Sequence, residues 1–218
     1  MKQSPGMFIT FEGIEGSGKS LQISRTEGYL QQRGIACLVT REPGGTAFGM
    51  AVRQVLLGTG GAPREPMGEL LLYLADRYQH LKEVVEPALN RGLLVISDRY
   101  HDATRAYQGA ARGVPLETID ALARLLNIRE PDATVLLDLA PEVGLARARL
   151  RNERIPAAGA EGRFEAEDLS FHRDVRTAYL GLAARSPNRI TVVSALGTPD
   201  EVFARIIPLL EHWLVSTR

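Results

Sequence analysis

The sequence predicts an α/β fold, a five-stranded parallel sheet with helices on both faces. Short apolar runs alternate with longer segments at helical spacing across the 218 residues, which implies right-handed βαβ crossovers and a sheet buried on both sides. A glycine-rich turn follows the first apolar run and opens a helix, an arrangement suited to holding phosphate at a helix N-terminus. No repeat, low-complexity tract or composition shift marks a boundary, so residues 1–218 are expected to form one domain.

Each element follows from local signals. Met7–Phe11 reads as the first strand. Ser20–Arg33 reads as a helix closed by Gly34. Ile35–Thr40 is the second strand and Ala47–Leu57 a short helix. Met67–Arg91 is a long helix stopped by Gly92, and Pro87 should bend it. Leu93–Ser97 is the third strand, Pro115–Leu126 a helix and Ala133–Leu139 the fourth strand. Pro141–Arg151 is a helix with proline in its first turn, and Phe164–Ala184 is another. Ile190–Ser194 and Pro199–Leu214 supply the last strand and helix. Thr59–Pro63 and Asn152–Gly162 read as surface connections, the second with Arg147, Arg149, Arg151, Arg154 and Arg163 in and around it.

Composition narrows the function. Net charge is zero, so no global field holds nucleic acid or an anionic membrane. No apolar run approaches the roughly 18–20 residues of a membrane span. The single cysteine, Cys37, rules out an internal disulfide and suits a reducing compartment, so a cytoplasmic location is expected. Only Lys2, Lys19 and Lys82 are lysines, and every other basic residue is arginine. Codon bias explains that, and so does repeated use of guanidinium forks for phosphate; position decides between them.

Open parallel sheets bind ligands at the carboxyl ends of their strands. After the first strand, Gly13-Ile14-Glu15-Gly16-Ser17-Gly18-Lys19-Ser20 matches G-x-x-x-x-G-K-[ST]. The glycines let backbone N–H groups turn in on a phosphate, Lys19 can reach the β- and γ-phosphates, and the Ser20 hydroxyl can ligate Mg²⁺. After the third strand, Asp98-Arg99-Tyr100 offers an acid for Mg²⁺ or its water and an arginine for a second phosphate; a structural ion pair is the alternative. After the second, Pro43-Gly44-Gly45 forces a turn, and Arg41 and Glu42 on their own read as bracing it. Tyr73 and Arg77 share one helix face. They could stack on a base and bond its edge, or simply belong to an amphipathic helix.

Together the residues go beyond a generic phosphate loop. Phe11–Lys19, Arg41–Thr46, Asp98–Tyr100, Ala106-Tyr107-Gln108-Gly109, Ala111-Arg112-Gly113, Arg163-Phe164-Glu165 and Phe171-His172 stand in matching order and spacing, and the chain resembles the bacterial thymidylate kinase family from about Met7 to the last helix. The resemblance implies a P-loop nucleoside monophosphate kinase that moves the γ-phosphoryl of ATP to dTMP with Mg²⁺, as a homodimer. It implies that Arg53 and Arg99 hold the dTMP phosphate, and that Tyr73 stacks on thymine where a phenylalanine is usual. Arg77 would bond the thymine edge, with Thr104 and Gln108 completing the pocket. Glu15 would face the deoxyribose and discriminate against a 2′-hydroxyl, and Glu42 would organise the monophosphate site. Arg149–Arg163 resembles a mobile lid, with Arg149 on ATP and Arg151 or a neighbour as the transition-state cation.

Phosphoryl transfer needs alignment and charge neutralisation. Lys19 and the loop would fix the donor, and Arg99 and Arg53 the acceptor. Ser20 and Asp98 would hold Mg²⁺. No general base is expected, because the attacking phosphate oxygen is already anionic. The motifs N-K-x-D, D-x-x-G and L-S-G-G-Q, which a GTPase switch or a transport ATPase would want, do not occur; the alternatives are a kinase of another nucleoside monophosphate and a non-catalytic nucleotide-binding module, which would lose the acceptor arginines Arg53 and Arg99. The variable positions of the loop carry no arginine, so the catalytic cation must come from elsewhere.

Overall fold

A computed structural model describes residues 6–58, 64–154 and 162–216. β1 (Phe8–Glu12), β2 (Cys37–Arg41), β3 (Leu94–Asp98), β4 (Ala133–Asp138) and β5 (Ile190–Ser194) form one sheet in the order β2-β3-β1-β4-β5, and every pairing is parallel. β1, β3 and β4 are almost wholly buried because helices cover both faces. Inside the sheet the Thr10 and Thr134 hydroxyls satisfy each other at 2.7 Å. The chain runs out from β1 to β2 and later crosses to β4 on the other side. The strand order therefore reverses at β1, and the crevice beyond its carboxyl end is the expected ligand site. Register sharpens this: Phe11 and Arg41 both pair with Asp98, so the ends of three strands lie at one level.

Helices α1 (Lys19–Gln32), α2 (Ala47–Leu57), α6 (Leu116–Leu125) and α7 (Pro141–Arg154) lie close to their expected places. α2 is capped by Thr46, whose hydroxyl accepts from the Gly49 N–H at 2.9 Å. The long helix expected over 67–91 begins as α3 (Pro66–His80), passes through a π segment at Leu81–Val85 and continues as α4 (Glu86–Asn90). Pro87 has no N–H to give a carbonyl one turn back, and the π turn that absorbs the change lies directly before it.

Two details differ from the sequence reading. The segment after β3, to which that reading assigns no element, is helical: α5 (His101–Thr104) runs into a π segment, Arg105–Ala111. Gly109 hid it, being a poor helix former. It stands there because a Cβ would press on Leu116 at 2.8 Å. The single helix expected over 164–184 is instead a 3-10 turn, Phe164–Ala166, followed by α8 (Leu169–Arg185). α9 (Pro199–Ser216) closes the chain. No helix among the described residues is long and apolar enough to cross a membrane.

Candidate active site

The glycine loop leaves β1 at Glu12 and enters α1 at Lys19. Gly16 (φ 70°) and Gly18 (φ 91°) take left-handed backbone that a side chain would strain. Gly16 also packs so closely that a Cβ would overlap the Gly144 carbonyl of α7. Lys19 folds back over the loop, and its Nζ donates to the Gly13 and Ile14 carbonyls at 3.0 Å each. Burial, and then the charge of Arg99, bring its pKa down to about 8 against the pull of Asp98, Glu15 and Glu12. The Ser20 hydroxyl donates to Asp98 Oδ2 at 2.9 Å, which joins the loop to the end of β3.

On the other side of Glu15 lies an arginine in unusual backbone. Arg99 has φ 70°, rare for any residue but glycine and asparagine. The conformation is held from several directions. The Arg99 N–H donates to the Phe11 carbonyl at 3.0 Å, the Ser97 hydroxyl donates to the Arg99 carbonyl at 2.8 Å, and the Tyr100 N–H donates to Glu12 Oε1 at 2.7 Å. The Arg99 guanidinium donates to Glu15 Oε1 at 2.8 Å and lies 4.9 Å from the centre of the Tyr107 ring. Tyr107 gives its hydroxyl hydrogen to the same Glu15 oxygen at 2.7 Å, and His172 Nδ1 stands 3.3 Å from the other. Burial alone would raise the Glu15 pKa. Arg99, with His172, Lys19 and Tyr107, instead holds it far below the ordinary carboxylate range.

A second buried knot forms around Glu42. Its Oε2 accepts from Arg77 Nε at 2.7 Å and its Oε1 pairs with His80 Nδ1 at 2.8 Å. Arg77, only 1% exposed, also donates to the Thr104 hydroxyl at 2.9 Å, to the Tyr100 carbonyl at 3.0 Å and to His101 Nδ1 at 3.2 Å. His101 can accept because burial, and then Arg77 and two further arginines, hold its pKa well below the usual histidine value. Arg77 and Thr104 therefore form one cluster, and much of what Arg77 does is brace its neighbours.

These groups open on one cavity of about 330 Å³. Thirteen residues expected at the site line it: Glu15, Gly16, Lys19, Ser20, Glu42, Arg53, Tyr73, Arg77, Asp98, Arg99, Thr104, Gln108 and Arg151. Gly13, Ile14, Ser17 and Gly18 lie behind them in the loop. Arg53 donates to the Pro43 carbonyl at 2.8 Å. Tyr73 is half-buried on α3, and burial followed by the Glu69 charge pushes its hydroxyl pKa well up. Of the arginines around the expected lid, Arg151 reaches the cavity and pairs with Glu165 at 2.5 Å. Arg149 and Arg154 stand exposed on α7, and Arg163 turns to Glu69 and the Leu56 carbonyl. Residues 155–161 of that lid lie outside the described residues.

Sequence reasoning missed Glu12, Tyr179 and the role of Tyr107. Glu12 is fully buried, and Tyr179 donates to its Oε2 at 2.7 Å while accepting from Arg99 at 3.3 Å. Burial, and then the Asp102 charge, push the Glu12 pKa up to about 7. An acid directly between a core strand and the glycine loop was the available signal.

A strand, a glycine loop with its lysine, a serine–aspartate pair and a set of inward arginines define a P-loop phosphotransferase with a second anion site beside the first. Likeness to known proteins specifies which one. Residues 11–206 match the family model described as Thymidylate kinase. The chain is 51% identical over 212 residues to a thymidylate kinase of Syntrophotalea carbinolica, covering 96% of this chain and 94% of that one. It is 48% identical over 207 residues to that of Desulfosudis oleivorans, covering 94% and 97%. The crystal structure of thymidylate kinase from Ehrlichia chaffeensis superposes with a TM-score of 0.75 at 31% identity, over 95% of this chain and all of that one. The chain belongs to the thymidylate kinase family. It phosphorylates dTMP to dTDP, with ATP and dTMP as its substrates.

Proposed function

We propose that the two anion sites around Glu15 are the ATP and dTMP halves of this kinase, within one catalytic unit. One observation carries the assignment: Glu15 belongs to the glycine loop yet pairs with Arg99 of the neighbouring strand end, so the two phosphates would meet across a single residue. The loop from Gly13 to Ser20 and Lys19 would cradle the ATP phosphates. Arg53 and Arg99 would hold the dTMP phosphate in line. Tyr73 would stack on thymine, and Arg77, Thr104 and Gln108 would meet its edge. Glu15, fixed by Arg99 and Tyr107, would close the space where a 2′-hydroxyl would sit. Glu42 would keep Arg77 in place. Arg149, exposed on α7, is assigned to the outer, ATP side.

Mg²⁺ fits the oxygens present. Ser20 and Asp98 bring two hard ligands together at the cavity, enough for an ion that takes its remaining ligands from water and substrate phosphate. When bound, the ion would spread the charge on the transferring phosphoryl group. The chain's own work is alignment, with Lys19 on one side of the transfer and Arg99 on the other, and no base is needed.

Arg151 is the cation proposed for the transition state, since it lines the cavity and the loop carries no arginine. Arg151→Ala should lower kcat by about 10³-fold or more, with the Kd for ATP changed only a few-fold. Steady-state turnover and calorimetric ATP binding separate the two. Equal loss of both would make Arg151 a nucleotide-binding residue only.

The assembly proposed is a homodimer. Phe48 and Val55 on α2 and Met67, Leu71 and Tyr78 on α3 are large, exposed and repeated at helical spacing on adjacent helices. We assign the protein to the cytoplasm, in keeping with its free Cys37.

A further inference from the structure

We propose that Glu69, on α3 outside the cavity lining, is a positioning residue that makes this enzyme choose thymine over cytosine by fixing which way the Gln108 amide faces. The inference rests on the reading above that Gln108 meets the base. Gln108 is 1% exposed and lines the cavity from the π segment that follows α5. Its Nε2 donates to Glu69 Oε1 at 2.8 Å. Glu69, itself 1% exposed, takes Arg163 on its other oxygen and has Arg112 Nε 3.8 Å from the first. An amide side chain can rotate by half a turn and exchange donor for acceptor. Glu69 forbids that exchange here. Both of its oxygens act as acceptors, so a rotated Gln108 would set its carbonyl oxygen against a carboxylate oxygen in a buried place. The nitrogen stays on the Glu69 side, with one of its two hydrogens bound there, and the carbonyl is turned to the other side as the acceptor Gln108 has to offer.

Arg77 completes the code. Four of its five N–H groups go to Glu42, Thr104, His101 and the Tyr100 carbonyl, which leaves one donor on Nη2. Arg77 and Gln108, which both line the cavity, thus have a donor and an acceptor left for a base. Thymine offers the complement, the O4 acceptor beside the N3–H donor. Cytosine offers the reverse, an amino donor beside an N3 acceptor, and meets a like group at each point. A site built to pair buried polar groups rejects the ligand that leaves them unpaired.

The test measures kcat/KM with dTMP and with dCMP for the wild type, Glu69→Gln, Glu69→Asp and Gln108→Ala. The amide that Glu69→Gln introduces can turn to suit either orientation of Gln108, so the dTMP:dCMP ratio should fall about tenfold or more. The change should lie mainly in KM, with kcat for dTMP within a few-fold of wild type. Glu69→Asp keeps an acceptor and should keep most of the preference. Gln108→Ala should raise KM for dTMP and lower the ratio. If Gln108→Ala changes neither, Gln108 does not face the base and the pocket assignment falls with the inference. If Gln108→Ala lowers the ratio and a folded Glu69→Gln does not, the role of Glu69 alone is overturned. Should Glu69→Gln fail to fold, hydrogen exchange of the Gln108 side-chain amide in the wild type decides. One Nε2 proton should be protected before dTMP is added, and dTMP should protect no second one. Protection of both by dTMP would mean that the nitrogen faces the base, and would overturn the proposal.

Discussion

Lys19 shows how much one side chain depends on its neighbours. Burial and Arg99 hold its pKa near 8, so its ammonium is charged below that pH and is lost above it. Glu12, pushed up to about 7, is already mostly negative where Lys19 titrates and favours the ammonium. The effect on ATP is therefore read above pH 8, where log Kd should climb with a slope approaching one per pH unit between 8 and 9. Titration calorimetry at several pH values checks this, and a flat profile would mean that Lys19 stays charged. The residues of the loop were legible because their chemistry is local. Thr104 and Gln108 were legible only through the resemblance, and Arg77 apart from it only as one of two readings of the helix face that it shares with Tyr73. Glu12 carried a signal only in its place between β1 and the loop; its role was not legible, since its partners, Tyr100 and Tyr179, lie 88 and 167 residues away and no pattern in β1 points to them.

At the scale of elements, the glycine loop rests on α7. Gly144 lies inside that helix, where glycine costs about 1 kcal/mol relative to alanine. Propensity alone would favour Gly144→Ala. Packing overrules it, because the added Cβ would meet the Glu15 carbonyl oxygen at 2.5 Å and Ile14 at 3.0 Å. Gly144→Ala should destabilise the protein by about 1–3 kcal/mol and weaken ATP binding by moving the loop, read by urea unfolding and by Kd; a more stable variant with unchanged Kd would mean that the loop does not lean on α7. Strand and helix order was readable because hydrophobic periodicity is strong in a doubly covered sheet. The helix after β3 was not, because it passes through a π segment and carries Gly109 and the bulky pair Tyr107 and Gln108 for the cavity rather than for helix formation. Sites of this kind break local rules to place side chains.

In the whole molecule, the sheet order β2-β3-β1-β4-β5 brings the ends of three strands to one level, and the chemistry gathers there. The opposite question, what the outer faces of α2 and α3 do, belongs to assembly. A protein carrying both Val55→Glu and Leu71→Glu should sediment as a monomer while the wild type sediments as a dimer; a wild type of monomer mass would sink the assignment. One property of the cavity concerns the cell rather than the fold. Lys19 rests on two carbonyls, Arg53 on another, Arg77 on Glu42, Arg99 on Glu15 and Arg151 on Glu165. The enzyme is its own counterion. An anion that enters meets cations that are already partly paired, and a free phosphate ion brings only charge to compete with those partners. A nucleotide brings a ring to stack and an edge to pair as well.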